Sequence, residues 1–271
     1  MIRSAVTISL VEQARDGPFV FHEDAAVGCR KAAELGFDAV EIFAPSANAI
    51  TALPLQALLK EFNLKLAAVG TGAGMVIHGL HLCDPDTGRR QQAETFIRDI
   101  IDAGVPFGAP AIIGSMQGRW DALTDRPTAI QLLQESLGRL GQYAAERGVR
   151  LVYEPLNRYE TNLATTIADG VQLLESVASD AVVVLADLFH MNIEESNIAD
   201  ALRTGGRRIG HVHFVDSNRQ AAGRGHMEYQ PIAEALAEIG YDGYASAEAF
   251  PIPDPDEAAR QTIETFRAVF R

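Results

Sequence analysis

Four residues that could bind one metal ion stand at or near the ends of successive apolar segments in the second half of the chain. They are Glu154, Asp187, His213 and Glu248. A carboxylate at the end of a buried strand is costly unless a metal ion, a cation or hydrogen bonds compensate it. Three carboxylates and one imidazole suit Mn²⁺, Mg²⁺ or Co²⁺ better than a structural zinc ion, which favours Cys and His ligands. We therefore predict a site for one divalent ion, with Mn²⁺ preferred over Mg²⁺, Co²⁺ or Zn²⁺.

The segments that carry these residues belong to an alternation of strand-like and helix-like stretches. Apolar residues three or four apart indicate helices, and short β-rich runs between them indicate strands. The predicted strands are Ser4–Leu10, Asp38–Phe43, Lys65–Val69, Ala109–Ile113, Val149–Glu154, Ala181–Asp187, Ile209–Val215 and Tyr244–Glu248. The predicted helices are His22–Leu35, Pro54–Phe62, Thr87–Ala103, Pro127–Glu146, Thr166–Val177, Asn197–Leu202, Ile232–Ile239 and Asp256–Phe270.

Eight strand–helix units in 271 residues, without a Pro/Gly/Ser-rich linker, predict an α/β fold: one (β/α)8 TIM barrel over residues 1–271. A doubly wound open sheet is the alternative. It fits less well, because no Gly-rich phosphate fingerprint opens a helix after the first strand. Two loops, 70–86 and 114–126, are longer than the others. Because loops after barrel strands form the catalytic face, we expect these two to be a lid or a substrate wall.

Side chains of a strand alternate in direction, so each candidate ligand shares a face with the residues two and four positions before it. In a barrel, the carboxyl ends of adjacent strands lie roughly 5 Å apart on one rim. The sets expected to face inward are Arg150, Val152 and Glu154; Val183, Leu185 and Asp187; His211 and His213; and Tyr244, Ser246 and Glu248.

The composition favours some classes of protein over others. A formal charge of −13 argues against a nucleic-acid partner, because phosphate binding needs a basic face. Cys29 and Cys83 are far apart and in no metal-ligand spacing, which indicates a reducing compartment without disulfides. The first residues lack the apolar core of a signal peptide, and no apolar run reaches the roughly 18 residues of a membrane helix. We therefore expect a cytoplasmic protein without a membrane partner.

Four motifs around the candidate ligands resemble a known family. They are Glu-Pro-Leu-Asn-Arg-Tyr-Glu at 154–160, Asp-Leu-Phe-His-Met-Asn-Ile-Glu-Glu at 187–195, Gly-His-Val-His-Phe-Val-Asp-Ser-Asn-Arg at 210–219 and Ala-Glu-Ala-Phe at 247–250. In this order and spacing they resemble the sugar isomerase/epimerase superfamily with the xylose isomerase-like barrel. Within it, the motifs look closest to the D-tagatose/D-psicose 3-epimerases.

The resemblance implies a function for each matched residue. It makes Glu154, Asp187, His213 and Glu248 the metal ligands, and Glu154 and Glu248 also the acid/base pair. A list of substrate-binding residues follows from it as well: Glu160, His190 and Arg219. The implied substrate is a free or phosphorylated ketose, and the implied assembly is a homo-oligomer, a dimer or tetramer. Epimerising carbon 3 needs a base on each side of an enediolate, whose charge a divalent ion stabilises.

Three other functions compete with ketose epimerisation. An aldose–ketose or hydroxy-ketoacid-type sugar isomerase would use the same metal site and enediolate. A nucleic-acid enzyme of the endonuclease branch would want more His ligands and a basic groove, which seven His and the negative charge disfavour. A sugar-binding protein without activity would not require a base on each face.

Several other residues have both a functional and a structural interpretation. His211 could replace His213 as ligand, although a hydrogen-bonded core position fits its deeper place better. Among the loop histidines, His226 is either a substrate-loop or a surface residue, and His78 and His81 are either lid-packing or solvated residues. Arg119 and Trp120 either contact a sugar or a phosphate or belong to a packed loop, and Phe19 and Phe21 either form a substrate wall or belong to the ordinary core. Asn157 is expected to support its neighbours.

Overall fold

Eight parallel strands close into a barrel in the computed structural model, which describes residues 1–22 and 24–271. The strands follow one another around the barrel in chain order, and the last pairs with the first. They are β1 Arg3–Ser9, β2 Ala39–Phe43, β3 Lys65–Gly70, β4 Ala111–Ile113, β5 Leu151–Tyr153, β6 Val182–Asp187, β7 Ile209–His213 and β8 Tyr244–Ala247. This single-domain (β/α)8 barrel confirms the predicted fold class, and the alternative prediction of an open doubly wound sheet is wrong.

Helices surround the barrel, and most begin at a polar side chain that caps the first backbone N–H groups. Within residues 1–22 and 24–271 they are α1 Ala25–Leu35, α2 Ala47–Thr51, α3 Leu55–Glu61, α4 Ala73–His78, α5 Thr87–Gly104, α6 Arg126–Glu146, α7 Ile167–Glu175, α8 Leu188–Glu194, α9 Ile198–Gly205, α10 Tyr229–Glu238 and α11 Pro255–Phe270. None of these helices is long and apolar enough to cross a membrane.

The helix prediction was right for the long amphipathic segments and incomplete for the short ones. Helix α1 begins after Asp24, whose side chain accepts from two backbone N–H groups. Glu23, inside the predicted first helix, lies outside the described residues. Helices α2, α4 and α8, of five to seven residues, were not predicted, whereas α3, which also has seven residues, was.

The barrel interior is filled by apolar side chains below the candidate ligands. Val152, Val183 and Leu185 are buried together with one residue each from β3 and β4. Burial of a Val or Leu side chain contributes about 1.5–3 kcal/mol, so this layer is a packed floor for the residues above it. The inward direction predicted for β5 and β6 is therefore confirmed for these three. Arg150 differs, because it precedes β5 and is exposed to solvent.

Both cysteines are free thiols in the core. Burial raises the pKa of Cys29 and of Cys83 to about 11. At pH 8 both groups are therefore protonated and poorly nucleophilic, and the thiolate fraction grows only as the pH approaches 11. We expect neither thiol to react with an aromatic disulfide reagent at pH 8 until guanidinium unfolds the chain, when both should react. Rapid reaction of either thiol in the folded protein, measured by absorbance, would contradict this burial.

Candidate active site

Glu154, Asp187, His213 and Glu248 converge at the carboxyl end of the barrel. One ligand atom from each lies within 4.8 Å of the others. The Nδ1 atom of His213 lies 3.1 Å from Asp187 Oδ2, 3.4 Å from Glu154 Oε1 and 3.7 Å from Glu248 Oε2. Asp187 and His213 are the last residues of β6 and β7, whereas Glu154 and Glu248 directly follow β5 and β8. The structure thus brings together all four residues predicted as ligands.

Asp187 is held at the start of α8, and this fixes which of its oxygens faces the site. Its Oδ1 atom accepts from the backbone N–H groups of Phe189 at 2.8 Å and His190 at 3.0 Å. The capping bonds occupy Oδ1 and leave Oδ2 directed toward His213. One side chain therefore both begins the helix and offers a ligand atom.

The end of β5 is fixed by a buried glutamine. Gln117 donates through Nε2 to the Glu154 carbonyl at 2.9 Å and accepts at Oε1 from the Tyr153 hydroxyl at 2.7 Å. Both side chains are completely buried. These bonds satisfy the backbone where the strand stops and hold Glu154 at the rim.

Three carboxylates lie close together in the cluster, and this proximity shapes the pKa values of its residues. Burial raises the pKa of the Glu248 carboxyl, and the positive His213 and Arg219 offset that only in part. Burial also opposes ionisation of Asp187, but the nearby imidazole of His190 and the hydrogen bond from His213 hold its pKa below the ordinary value. For His213 itself, burial lowers the pKa, yet Glu248 and Glu41 together raise it well above the ordinary value. A cation placed among these carboxylates would relieve their repulsion.

Two buried polar atoms that face the cluster show that it can accept a further group. Glu154 Oε1 and His190 Nε2 have no hydrogen-bond partner among the described residues, and they lie 3.9 Å apart. A buried polar atom without a partner costs about 1–3 kcal/mol. A divalent cation with bound substrate or water would satisfy both. The donor set of three carboxylates and one imidazole therefore fits a divalent ion of the Mn²⁺ or Mg²⁺ type.

His190 lies on α8 with one ring nitrogen held and the other turned toward the cluster. Asn157 Nδ2 lies 2.7 Å from His190 Nδ1, and Asn157 Oδ1 accepts from the Tyr159 backbone at 3.0 Å, which orients the amide. His190 Nδ1 is therefore an acceptor, so the neutral ring carries its proton on Nε2. Asn157 orients a donor toward the cavity, as its predicted supporting role requires.

Arg219 reaches the site from the loop after β7 with a left-handed backbone. Its φ is 59°, an uncommon conformation for a residue other than glycine. The guanidinium lies 2.7 Å from Glu248 Oε2 and 3.1 Å from Glu160 Oε1, and it stacks 4.9 Å from the Phe189 ring centre. The three residues predicted to bind substrate, Glu160, His190 and Arg219, therefore all border the candidate metal cluster.

A cavity of about 390 Å³ opens above the cluster. Its wall includes Phe19, which stacks on Phe43 with ring centres 4.5 Å apart, while Phe21 is buried in the core. The segment after β3 contributes Val76 from α4, and the segment after β4 contributes Ser115. Both long loops thus form part of the cavity wall, and the first contains a helix rather than irregular chain.

The structure adds one residue to the site that the sequence analysis missed. Glu41, in the middle of β2, is buried beneath the cluster. Its carboxylate lies 2.8 Å from His211 Nε2 and 3.2 Å from His213 Nε2. His211 is therefore a hydrogen-bonded core residue, outside the four-residue cluster. The available signal was a single charged residue within the apolar run Ala39-Val-Glu-Ile-Phe43.

Arg119 and Trp120 connect two loops. Trp120 Nε1 donates to the carbonyl of Asn162 at 3.0 Å, and Arg119 donates to the carbonyl of Tyr159 at 3.1 Å. Neither belongs to the cavity wall in the described part of the chain. The structure thus favours a packed loop over a sugar or phosphate contact.

The loop histidines also lie away from the cavity lining formed by the described residues. Each has a local partner that accounts for its position. His78 packs edge-on to Phe96, His81 faces Asp84 at 3.6 Å, and His226 lies 3.0 Å from the Ser217 hydroxyl.

Gly114 gives a direct test of how tightly Glu154 is placed. A Cβ atom at Gly114 would lie 2.5 Å from Glu154 Oε2, so Gly114→Ala must displace that carboxylate. We expect the variant to fold and to bind Mn²⁺ about tenfold or more weakly, measured by titration calorimetry. Gly138→Ala on α6 is the matched control, because its Cβ meets nothing closer than 3.7 Å. Equal affinity in Gly114→Ala and the control would show that Glu154 has room to move.

Comparisons with known proteins agree with this geometry. A D-psicose 3-epimerase of Ruminiclostridium cellulolyticum is 34% identical over 229 residues, which cover 81% of this chain and 76% of that protein. The solved D-psicose 3-epimerase of Clostridium cellulolyticum H10 with D-tagatose has a TM-score of 0.83 at 26% identity, covering both chains completely. A solved 3-keto-D-glucoside 4-epimerase of E. coli has a TM-score of 0.81 at 26% identity, covering 99% of this chain and 100% of that one.

These relatives are named as epimerases, which are isomerase-class enzymes. The family model described as "Xylose isomerase-like TIM barrel" matches residues 29–269, which include β2 to β8. The closed eight-stranded parallel barrel has the architecture that this description names. The chain therefore belongs to the xylose isomerase-like TIM barrel family.

Proposed function

We propose that this protein is a divalent-metal-dependent epimerase that inverts carbon 3 of an unphosphorylated ketose. The observation that carries the proposal is the placement of two carboxylates, Glu154 and Glu248, in one cavity. They reach it from β5 and β8, with the strands of Asp187 and His213 between them. Two bases around one reacting carbon are what inversion through an enediolate requires. The epimerase names of the relatives support the same conclusion.

In the proposed reaction, one carboxylate removes the proton from carbon 3 of the ketose. The electrons of that C–H bond form a double bond between carbons 3 and 2, and the carbonyl electrons move to oxygen 2. The carboxyl group of the other Glu then protonates carbon 3 on the opposite face, which restores the carbonyl. The reaction needs no oxidant or reductant, since only the position of the proton changes.

The chain's own residues would hold the substrate during this transfer. A divalent ion, held by Glu154, Asp187, His213 and Glu248, would supply positive charge that stabilises the enediolate. His190 would donate from Nε2 to a substrate oxygen. The guanidinium of Arg219 would donate to a second oxygen, and the Glu160 carboxylate would accept from a hydroxyl.

The charge of the cavity favours a free sugar over a sugar phosphate. Arg219 and His213 are the cationic or basic side chains of the described lining, and both already contact carboxylates. Asp16 contributes a further negative charge to the lining, and Phe19 and Phe43 make the wall beside it apolar. A dianionic phosphate would lack a charged partner here, whereas the hydroxyl groups of a ketose need none.

Epimerisation at a neighbouring carbon is the second candidate. The E. coli relative is named a 3-keto-D-glucoside 4-epimerase, and its fold matches along the whole chain. Moving the carbonyl by one carbon would let the same two carboxylates act on carbon 4 of a 3-keto-sugar. The aldose–ketose isomerase remains a third outcome of the same proton chemistry.

Deuterium incorporation distinguishes these reactions. The metal-stripped protein is reloaded with Mn²⁺ in D₂O and incubated with free ketoses, their phosphates and 3-keto-glycosides, and NMR locates the label. We expect deuterium at carbon 3 and a new C3 epimer for a free ketose alone. Label at carbon 4 of a 3-keto-sugar, or at carbon 1 with an aldose product, would replace the proposal. Turnover of the phosphates only would overturn the charge argument.

Several further expectations accompany the proposed function. We propose Mn²⁺ as the native metal, a cytoplasmic location, one domain over residues 1–271 and a homo-oligomer, a dimer or tetramer. Size measurement by light scattering tests the assembly. Metal analysis of protein purified without added metal tests the ion.

A further inference from the structure

Glu41 joins β2 to β7 across the barrel floor. Its two oxygens face two different imidazoles: Oε2 lies 2.8 Å from His211 Nε2, and Oε1 lies 3.2 Å from His213 Nε2. All three residues are buried, with at most 5% of their surface exposed. Glu41 is thus the only residue of this trio that has no backbone on β7, and it contacts both histidines.

These contacts describe a hydrogen-bonded trio rather than a second metal site. Glu41, His211 and His213 could in principle hold an ion, since they form a compact group of ligand types. However, separations of 2.8 and 3.2 Å are ordinary N–H···O distances, and they satisfy both oxygens of Glu41. Glu154 Oε1 and His190 Nε2, which have no hydrogen-bond partner among the described residues, lie at the four-residue cluster instead.

The trio determines how His213 presents its ring. A carboxylate offers no proton, so each imidazole nitrogen beside Glu41 must carry one. An ion among the carboxylates would displace the proton that Nδ1 of His213 otherwise shares with Asp187. Nε2 would keep its own proton beside Glu41, and Nδ1 would then offer its lone pair. Nδ1 is the atom that faces Asp187, Glu154 and Glu248. The contact with Glu41 therefore selects the tautomer that can bind a metal.

We propose that Glu41 is a positioning residue that fixes the orientation and tautomer of His213 for metal binding, and this rests on the metal site of the proposed function. A carboxylate behind a metal-bound imidazole also makes that imidazole a more basic ligand. His211 holds the second oxygen of Glu41, so the carboxylate cannot rotate away from His213. The two histidines of β7 thus have different roles: His213 is the proposed metal ligand, and His211 holds Glu41 in position.

If Glu41 had only a structural role, its substitution would lower stability without a specific effect on metal binding. Any buried carboxylate with hydrogen bonds contributes to stability, and its loss destabilises the fold wherever it lies. Glu94 on α5 provides the comparison, because it is 7% exposed and is bonded by Arg139 at 2.6 Å. Its surroundings contain none of the four candidate ligands. If the proposal is correct, a substitution at Glu41 weakens metal binding and one at Glu94 does not, although both substitutions can lower stability.

The decisive substitution is Glu41→Gln. A glutamine side chain has one acceptor oxygen and one donor nitrogen where Glu41 has two acceptors. One of the two histidines then faces an N–H group and must shift its own proton to Nδ1. If that histidine is His213, its Nδ1 can no longer bind a metal. If it is His211, the hydrogen bond that holds the side chain of residue 41 is altered, and the negative charge behind His213 is still lost.

The experiment measures Mn²⁺ affinity by titration calorimetry for the wild type, Glu41→Gln and Glu94→Gln. We expect Glu41→Gln to bind Mn²⁺ about 10–100-fold more weakly, and Glu94→Gln to bind it as the wild type does. Equal affinity of the wild type and Glu41→Gln overturns the role of Glu41 alone. A wild type that binds no divalent ion overturns the proposed metal site and this inference together.

A measurement on the wild type keeps the test decisive if Glu41→Gln does not fold. Nitrogen-15 labelling of the histidines in protein loaded with diamagnetic Mg²⁺ reports which ring nitrogen of each carries a proton. We expect His213 to show a protonated Nε2, coupled to a slowly exchanging N–H proton, and Nδ1 without a proton. A proton on Nδ1 with a free Nε2 overturns the proposal.

Discussion

Glu248→Gln is expected to lower turnover of the ketose by about 10³-fold, because an amide can neither take up nor deliver the proton. The shape of the side chain is almost unchanged, so the barrel should remain folded. Glu154 stays intact in this variant and can still remove the proton on its own face. We therefore expect deuterium to enter carbon 3 of one epimer in D₂O while inversion to the other nearly stops.

One-sided exchange separates the loss of a base from the loss of the metal. If Glu248→Gln merely released the ion, exchange and inversion would fall together. Glu257→Gln on α11 is the matched control, since that carboxylate is exposed and pairs with Arg260 at 3.3 Å. It should epimerise at the wild-type rate. Full inversion by Glu248→Gln on every accepted sugar would refute the two-base mechanism.

Removal of the metal is expected to lower the midpoint of thermal unfolding by on the order of 10 °C. A ligand that binds only the folded state adds about 4 kcal/mol of stability at 1,000 times its dissociation constant. For a chain of this size, 1 kcal/mol shifts the midpoint by roughly 2–4 °C. The physical source is the relief of repulsion among three converging carboxylates. Calorimetric scans with excess Mn²⁺ and with a chelator measure the difference.

Asp187→Ala serves as the negative control for this stabilisation. It removes one proposed ligand and also the cap of α8, so its midpoint should be low in both conditions. Addition of Mn²⁺ should then shift the midpoint by much less than in the wild type. Glu94→Gln should keep the full metal-dependent shift. A wild type with the same midpoint in Mn²⁺ and in chelator would speak against the site.

The barrel and the four candidate ligands could be predicted because both depend on local patterns. Each strand is short and apolar, and in a parallel barrel every strand ends on the same rim. A polar residue at the end of such a strand therefore lies near the polar residues at the ends of the adjacent strands, whatever conformation the loops adopt. Glu154, Asp187, His213 and Glu248 follow this rule, and the structure places them together.

The supporting contacts depended on packing between distant parts of the chain. Glu41 and His211 are 170 positions apart, and the register between β2 and β3 shifts beside Glu41, with Ala67 of β3 as the extra residue. All five residues of β2 are buried, so the run offers no alternation of polar and apolar residues to show which face Glu41 shares. Only closure of the barrel decides that this carboxylate meets the histidines of β7. The bond between Asn157 and His190 spans 33 positions and likewise required the folded loops.

The sequence alone thus determined the eight-unit barrel and the rim on which its polar residues meet, because strand and helix periods are short-range properties. The tertiary structure decided which atom of each residue faces the cluster. Hydrogen bonds from Asn157 and Glu41 orient His190 and His213, and those partners are set by closure of the barrel. Asp187 is oriented locally, by the first backbone N–H groups of α8. The same closure placed Phe19 and Val76 on one cavity wall, although they come from loops after different strands.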